Sequence, residues 1–171
     1  RHFSIIGVNV EANKREVKKW SQPIIKGKKM AFAGFLKTRL NKTDHYLCRY
    51  TIKPGIKNSI IGCTINTSDL SMYDKKNNFN EIEKNFMKIF FHSKYHKKNI
   101  IFDNILSDEG GRFYKCQIRY KVLMLNYKLI KKIPCDYIWL SHNQIVDMIR
   151  NKKIDIESRL LFACVNINHI K

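Results

Sequence analysis

Over the first third of the chain, apolar and polar side chains take turns. This period of two leaves one face of a strand buried and the other wet. Residues 2–10 read as a first strand, 18–25 as a second whose Pro23 suits an edge, and 30–38 as a third with Gly34 inside it. The segment 44–52 is clearer: Tyr46, Cys48, Tyr50 and Ile52 share one face, and His45, Leu47, Arg49 and Thr51 share the other. Lys53-Pro54-Gly55 turns the chain, and 60–67 reads as a further strand with Thr64, Asn66 and Ser68 on a common face. The period then changes. Within 79–91, Ile82, Phe86, Ile89 and Phe90 recur at helical spacing, and Asn80 with Glu83 has the spacing of a capping box. A run at 99–106 leads through 107–114 into a long alternation. Tyr114, Cys116, Ile118, Tyr120 and Val122 lie on one side of it, and Lys115, Gln117, Arg119 and Lys121 on the other. Ser141 and Gln144 open a helix toward Lys152. Asp155 caps a last helix whose buried stripe is expected to be Ile156, Leu160, Leu161, Cys164 and Val165. Strands, helix, strand and two helices predict an α+β fold, a curved mixed or antiparallel sheet packed by helices.

With 171 residues, 44% of them hydrophobic, the chain suits one domain, residues 1–171, with a real core. It opens on Arg1 rather than Met, so the reading allows for a further front segment. No apolar run reaches bilayer length and no secretory pattern is visible, so no membrane partner is expected. Cys48, Cys63, Cys116, Cys135 and Cys164 are odd in number and show no C-x-x-C spacing. They predict neither a disulfide framework nor a zinc site, and they fit a reduced, cytoplasmic compartment. The formal charge of +19 would ordinarily raise nucleic acid as a partner. The positives are mostly lysines scattered along the chain, however, and read as a solvated surface, with an anionic small ligand a better fit than nucleic acid.

Candidate chemistry concentrates in 107–114. Asp108 and Glu109 offer carboxylates, Gly110 and Gly111 let the backbone turn or approach a ligand, and Arg112 offers a fork of donors. The plainer alternative for this segment is a solvated turn. The chain has no G-x-x-x-x-G-K-[ST] loop, G-x-G-x-x-G turn, G-x-S-x-G elbow or H-E-x-x-H helix. What remains is a set of separate polar residues facing off a sheet: His45, Arg49, Thr64, Asn66, Asp108 or Glu109, and Arg112. Such a set suits acid–base chemistry on an anionic ligand without a metal. Each has a plain structural alternative, His45 above all. Trp20 and Trp139 read as core residues, with base or sugar stacking as the sharper alternative for Trp20.

The order and spacing of several motifs resemble the NDP-hexose 2,3-dehydratases of deoxysugar biosynthesis, or one of the two homologous halves that those enzymes carry in tandem. They run from His2-Phe3-Ser4-Ile5-Ile6-Gly7 through Arg15-Glu16-Val17-x-x-Trp20-x-Gln22-Pro23-Ile24-Ile25 and His45-Tyr46-Leu47 to Pro54-Gly55. Thr64-Ile65-Asn66, residues 107–113, Trp139-Leu140-x-x-x-Gln144 and Asp155-Ile156-Glu157-Ser158-Arg159-Leu160-Leu161-x-x-Cys164 complete the likeness. This chain has Arg49 where the family usually has Gln, Lys53 where it has Glu, Cys63-Thr64-Ile65-Asn66 for Pro-Thr-Val-Gln, and Asp108 for Glu.

The resemblance implies a Nudix-like fold without the Nudix metal box. It also implies a nucleotide-linked 4-keto-6-deoxyhexose as substrate and elimination of water across C2–C3 with no cofactor or metal. In that scheme Asp108 or Glu109 is the base, and His45 is the acid or its partner. Arg49, Arg112, Arg119 or Arg159 holds the diphosphate, and Gln22 and Asn66 read the base or sugar hydroxyls. Trp20, Thr64 and Tyr73 complete the expected substrate contacts. A single half further implies pairing of two copies, as a homodimer. A catalytically degenerate half that only binds nucleotide sugar, or only pairs, is the alternative.

Overall fold

The computed structural model describes residues 3–68, 70, 80–91, 97–107, 111–130 and 132–166. The first two strands, β1 (Phe3–Glu11) and β2 (Lys19–Gly27), pair antiparallel as a hairpin of their own. The main sheet takes β3 (Ala31–Leu40), β4 (Thr43–Thr51), β5 (Ile60–Gly62), β6 (Ile65–Thr67), β7 (Ile100–Ser107), β8 (Gln117–Met124) and β9 (Tyr137–Ser141). Its path is β5-β4-β3-β8-β7, with β6 on β3 and β9 on β4. Among the strand pairings of the described residues only β3–β8 is parallel, so the sheet is mixed, as expected. A two-residue turn joins β3 to β4. Asn41 and Lys42 both adopt positive φ there, the geometry whose twist matches a hairpin.

Helices cover both faces. On one side α2 (His142–Arg150) and α3 (Ile156–Asn166) bury Ile145, Leu161, Phe162 and Val165 against Phe35, Tyr46, Cys48 and Val122. On the other, α1 (Glu81–Phe91) buries Phe86, Met87 and Phe90 against Phe32, Leu36, Leu47 and Leu123. Strands covered on both faces lose the in–out contrast, and Tyr46, Leu47 and Cys48 are all fully buried in succession. The polar side of β8 is covered too. Lys121 is buried because its ammonium donates to Phe90 O at the end of α1 (2.9 Å) and lies 3.3 Å from Asp103.

The caps form as their spacing predicts. Asn80 and Glu83 exchange side-chain to backbone bonds at 2.8 and 2.9 Å, and Ser141 with Gln144 forms the second box. Asp155 Oδ1 accepts from Ser158 N at 2.8 Å. Three expectations are corrected and one strand, β9, is added. The strand expected over 60–67 is two short ones, because the chain crosses at Cys63-Thr64 from pairing with β4 to pairing with β3. The strand expected from Tyr114 begins at Gln117, after Lys115 takes a positive φ. The short strand β9 was hidden in an aromatic stretch. The buried face of α3 is Ser158, Leu161, Phe162 and Val165, whereas Ile156 is 70% exposed. Polar Ser158 and apolar Ile156 shifted the apparent stripe.

All five cysteines are free. Burial, reinforced by the Asp155 charge, pushes the Cys63 thiol up to about 12 and raises that of Cys48 well above its usual value. In native protein at neutral pH, exposed Cys135 should react with a thiol reagent, while Cys48 and Cys63 react only on unfolding. Ready modification of either, measured by peptide mapping, contradicts the packing described.

Candidate active site

Where the chain crosses between strands, β3 and β4 spread apart. Thr64 stitches the apex: its hydroxyl accepts from Leu36 N at 2.9 Å and donates to Leu47 O. Beyond that stitch the sheet opens into a cleft of about 740 Å³. Its floor is Ala31, Ile118 and Tyr120. One wall, from the ends of β4 and β5 and the start of α3, presents Thr51, Lys53, Asp155 and Glu157. The other, from the end of β2 and the corner after β7, presents Lys29, Arg112, Phe113 and Gln117. Asn66 and Ser68 lie between them.

That second wall is fixed by main chain. Ile25 N donates to Arg112 O at 2.9 Å and Tyr114 N to Ile25 O at 2.7 Å, a parallel bridge between hairpin and corner. Gln22 Nε2 donates to Gly111 O at 3.0 Å, and Trp20 Nε1 donates to Gln22 Oε1, which orients the amide. Gln22 and Trp20 therefore support the corner rather than line the cleft. Trp20 faces a separate shallow dent with Arg15, Glu16 and Val17.

The other candidates separate cleanly. Asn66 and Arg112 lie in the cleft. Arg49 borders it, but its guanidinium turns to the α1 face, donating to Glu83 and, at 3.0 Å, to Asp136 while packing over the Tyr137 ring. Arg119 forms a two-pronged bond to Asp103 at 2.7 and 2.8 Å. Burial works to raise the Asp103 carboxyl, but the Arg119 bonds and the Lys121 charge outweigh it and hold it below its ordinary value. Thr64 is fully buried in its stitch. His45, at the turn end of β4, has Nδ1 3.0 Å from Thr43 O and lies outside the cleft. It sits four residues from Arg49, roughly 13 Å along the strand. Arg159 is exposed on α3 outside the cleft. Asp108, Glu109 and Tyr73 fall outside the described residues, although the first two lie between Ser107, which ends β7, and Gly111, which carries the corner.

Sequence reasoning missed Lys29 and Glu157 as cleft residues, saw Asp155 only as a cap, and had Lys53 at a pocket position only as a departure from the family pattern. The available signal was in Asp155 itself, since a cap needs one oxygen and an aspartate brings two.

A mixed sheet with helices on both faces opens, where its strands spread, into a concave cleft lined by apolar and charged side chains, the form of a small-molecule site. The chain belongs to the NDP-hexose 2,3-dehydratase family, which it matches over residues 1–165. It is 29% identical over 167 residues to a dTDP-4-dehydro-6-deoxy-alpha-D-glucopyranose 2,3-dehydratase of Streptomyces violaceoruber, across 96% of this chain and 36% of that protein. A protein of the same description from Saccharopolyspora spinosa is 26% identical, across 97% of this chain and 34% of that protein. The chain thus spans about a third of the length of these relatives. Among solved structures it is similar to the Nudix hydrolase RenU from M. smegmatis, with a TM-score of 0.45 and 8% identity over 95% of both chains.

Proposed function

We propose that this chain is a nucleotide-sugar dehydratase that eliminates water across C2–C3 of an NDP-4-keto-6-deoxyhexose. The family match over residues 1–165 carries this reading, and the cleft supports it. Lys29 and Arg112 on one wall suit a diphosphate, and Asn66 between the walls suits sugar or base hydroxyls. The reaction is proposed to run without metal or redox cofactor. The C4 ketone already acidifies the C3 proton, and loss of water leaves the overall oxidation level unchanged. Asp108 or Glu109, in the segment between β7 and the Arg112 corner, remains the proposed base. His45 stays a weaker candidate for the acid, given its distance along β4. A cytoplasmic location and pairing of two copies belong to the same reading.

Incubating the purified chain with such a sugar nucleotide should give a product lighter by one water, followed by mass spectrometry. Asp108→Asn, Glu109→Gln and His45→Asn, made singly, should include at least one variant with a large loss of turnover. Full activity in all three removes the assignment.

A second reading is a half that binds nucleotide sugar, or pairs, without turnover. It is favoured by the chain's one-third coverage of its relatives. Ligand-dependent thermal stabilisation without loss of water selects it.

A further inference from the structure

At the α3 wall, Lys53 Nζ lies 3.4 Å from both carboxylate oxygens of Glu157 and 3.8 Å from Asp155 Oδ2. Asp155 is buried, with 2% of its side-chain surface exposed, whereas Lys53 keeps 32%. Asp155 Oδ1 is occupied in capping α3. Oδ2 is sealed from bulk water and accepts no hydrogen bond among the described residues. Gly62 makes the space: a Cβ there would come within 3.1 Å of Oδ2.

The arrangement is costly as a purely structural device. Asn or Ser caps a helix as well as Asp without burying a charge. A buried, unsatisfied carboxylate oxygen at a cleft wall therefore calls for another explanation. The distances to Lys53 supply one. Charge-assisted bonds from an ammonium to a carboxylate close to about 2.7–2.9 Å when saturated. At 3.4 Å Lys53 makes long hydrogen bonds to both Glu157 oxygens, and at 3.8 Å it meets Asp155 by charge alone, so an ammonium with three donors keeps capacity for a ligand in the cleft.

We propose that Lys53 meets the C4 carbonyl oxygen of the sugar, and that Asp155 and Glu157 are the positioning residues that hold it there. This deepens the dehydratase reading and rests on it. The carboxylate base takes the C3 proton, and the C–H electron pair forms the C3–C4 double bond. The carbonyl pair moves onto O4, beside the Lys53 ammonium. When the enolate re-forms its carbonyl, the pair shifts to C2–C3 and the C2–O bond breaks. The departing hydroxide takes back the proton held by the carboxylic acid and leaves as water. Lys53 transfers no proton; it stabilises the charge on O4.

The test compares wild type with Lys53→Met, which keeps the stem, and Asp155→Asn, which keeps the cap. Removing a donor from a developing oxyanion lowers kcat about 100-fold. Lys53→Met should show that loss, with affinity for the bare nucleoside diphosphate unchanged by calorimetry. Asp155→Asn should lower kcat by less, at an undiminished melting temperature and an unchanged diphosphate affinity. Binding supplies a readout independent of turnover: wild type should prefer the 4-keto sugar nucleotide to its 4-hydroxy counterpart, and Lys53→Met should erase that preference. If wild type turns over and Lys53→Met keeps its kcat, the Lys53 role is overturned and the dehydratase reading stands. If wild type binds both sugars without eliminating water, the dehydratase reading falls. A keto preference that Lys53→Met removes would then still support the contact, and one that it leaves intact would overturn it.

Discussion

Phe90→Ala should be the most damaging single core truncation toward α1, costing about 3–5 kcal/mol of unfolding free energy, as expected for a fully buried aromatic. Phe90 is 1% exposed, meets Phe32 edge-on at 5.2 Å, and lies directly over the backbone of Gly34. A Cβ at Gly34 would come within 2.7 Å of the Phe90 ring and 2.9 Å of Phe32, so β3 needs glycine there for α1 to dock. Gly34→Ala alone should cost about 1–3 kcal/mol through overpacking. The two changes should not add. In the Phe90→Ala background the methyl enters vacated space, and the cost of Gly34→Ala should shrink or vanish. Urea unfolding of the four proteins in that cycle measures this. Strict additivity would mean that the ring and the strand do not touch.

Arg49→Met should cost about 3 kcal/mol, the low end for breaking a buried pair, because Arg49 keeps a third of its side chain in water. The loss falls on Glu83, whose side chain is only 10% exposed and whose other oxygen closes the capping box of α1. Without the guanidinium a carboxylate is stranded between helix and sheet. Glu83→Gln keeps the cap and removes the charge, so adding it to Arg49→Met should recover part of the stability. A loss below about 0.5 kcal/mol for Arg49→Met would place the interaction among ordinary surface pairs.

These two cases show what local pattern could and could not reveal. Caps at Asn80, Ser141 and Asp155 were legible because both partners lie within three residues of each other. The alternation of β4 gave the strand and its faces but not that both faces are covered. That depends on α1 and α3, distant in sequence. Lys121 reads as solvent-facing, yet it is buried because a helix end and Asp103 supply its partners. The crossover at Thr64 breaks the period of two in mid-strand and leaves no compositional mark.

The same division holds for the site. Asn66 and Arg112 could be placed in one cleft because residue type and neighbourhood agreed. Arg49 and Arg119 were drawn toward the ligand by their chemistry, whereas Glu83, Asp136 and Asp103 engage them elsewhere. None of those engagements is visible without the docking of α1 and the pairing of β4 with β9 and of β7 with β8. Lys53 read as a turn residue and a departure from the family pattern, and Asp155 as a cap, but not as partners of each other until the fold brought them together.

The parallel bridge between Ile25 and Phe113 has a consequence for how this cleft can change over evolutionary time. Its two anchors are peptide groups, which nearly any amino acid provides, so much of the hairpin can drift in sequence while the Arg112 corner keeps its place. The opposite wall depends on three particular side chains and a glycine. Related chains can therefore hold the Arg112 corner through the same bridge, whereas the opposite wall, where this chain has Lys53 and the family usually has Glu, changes its chemistry with its side chains.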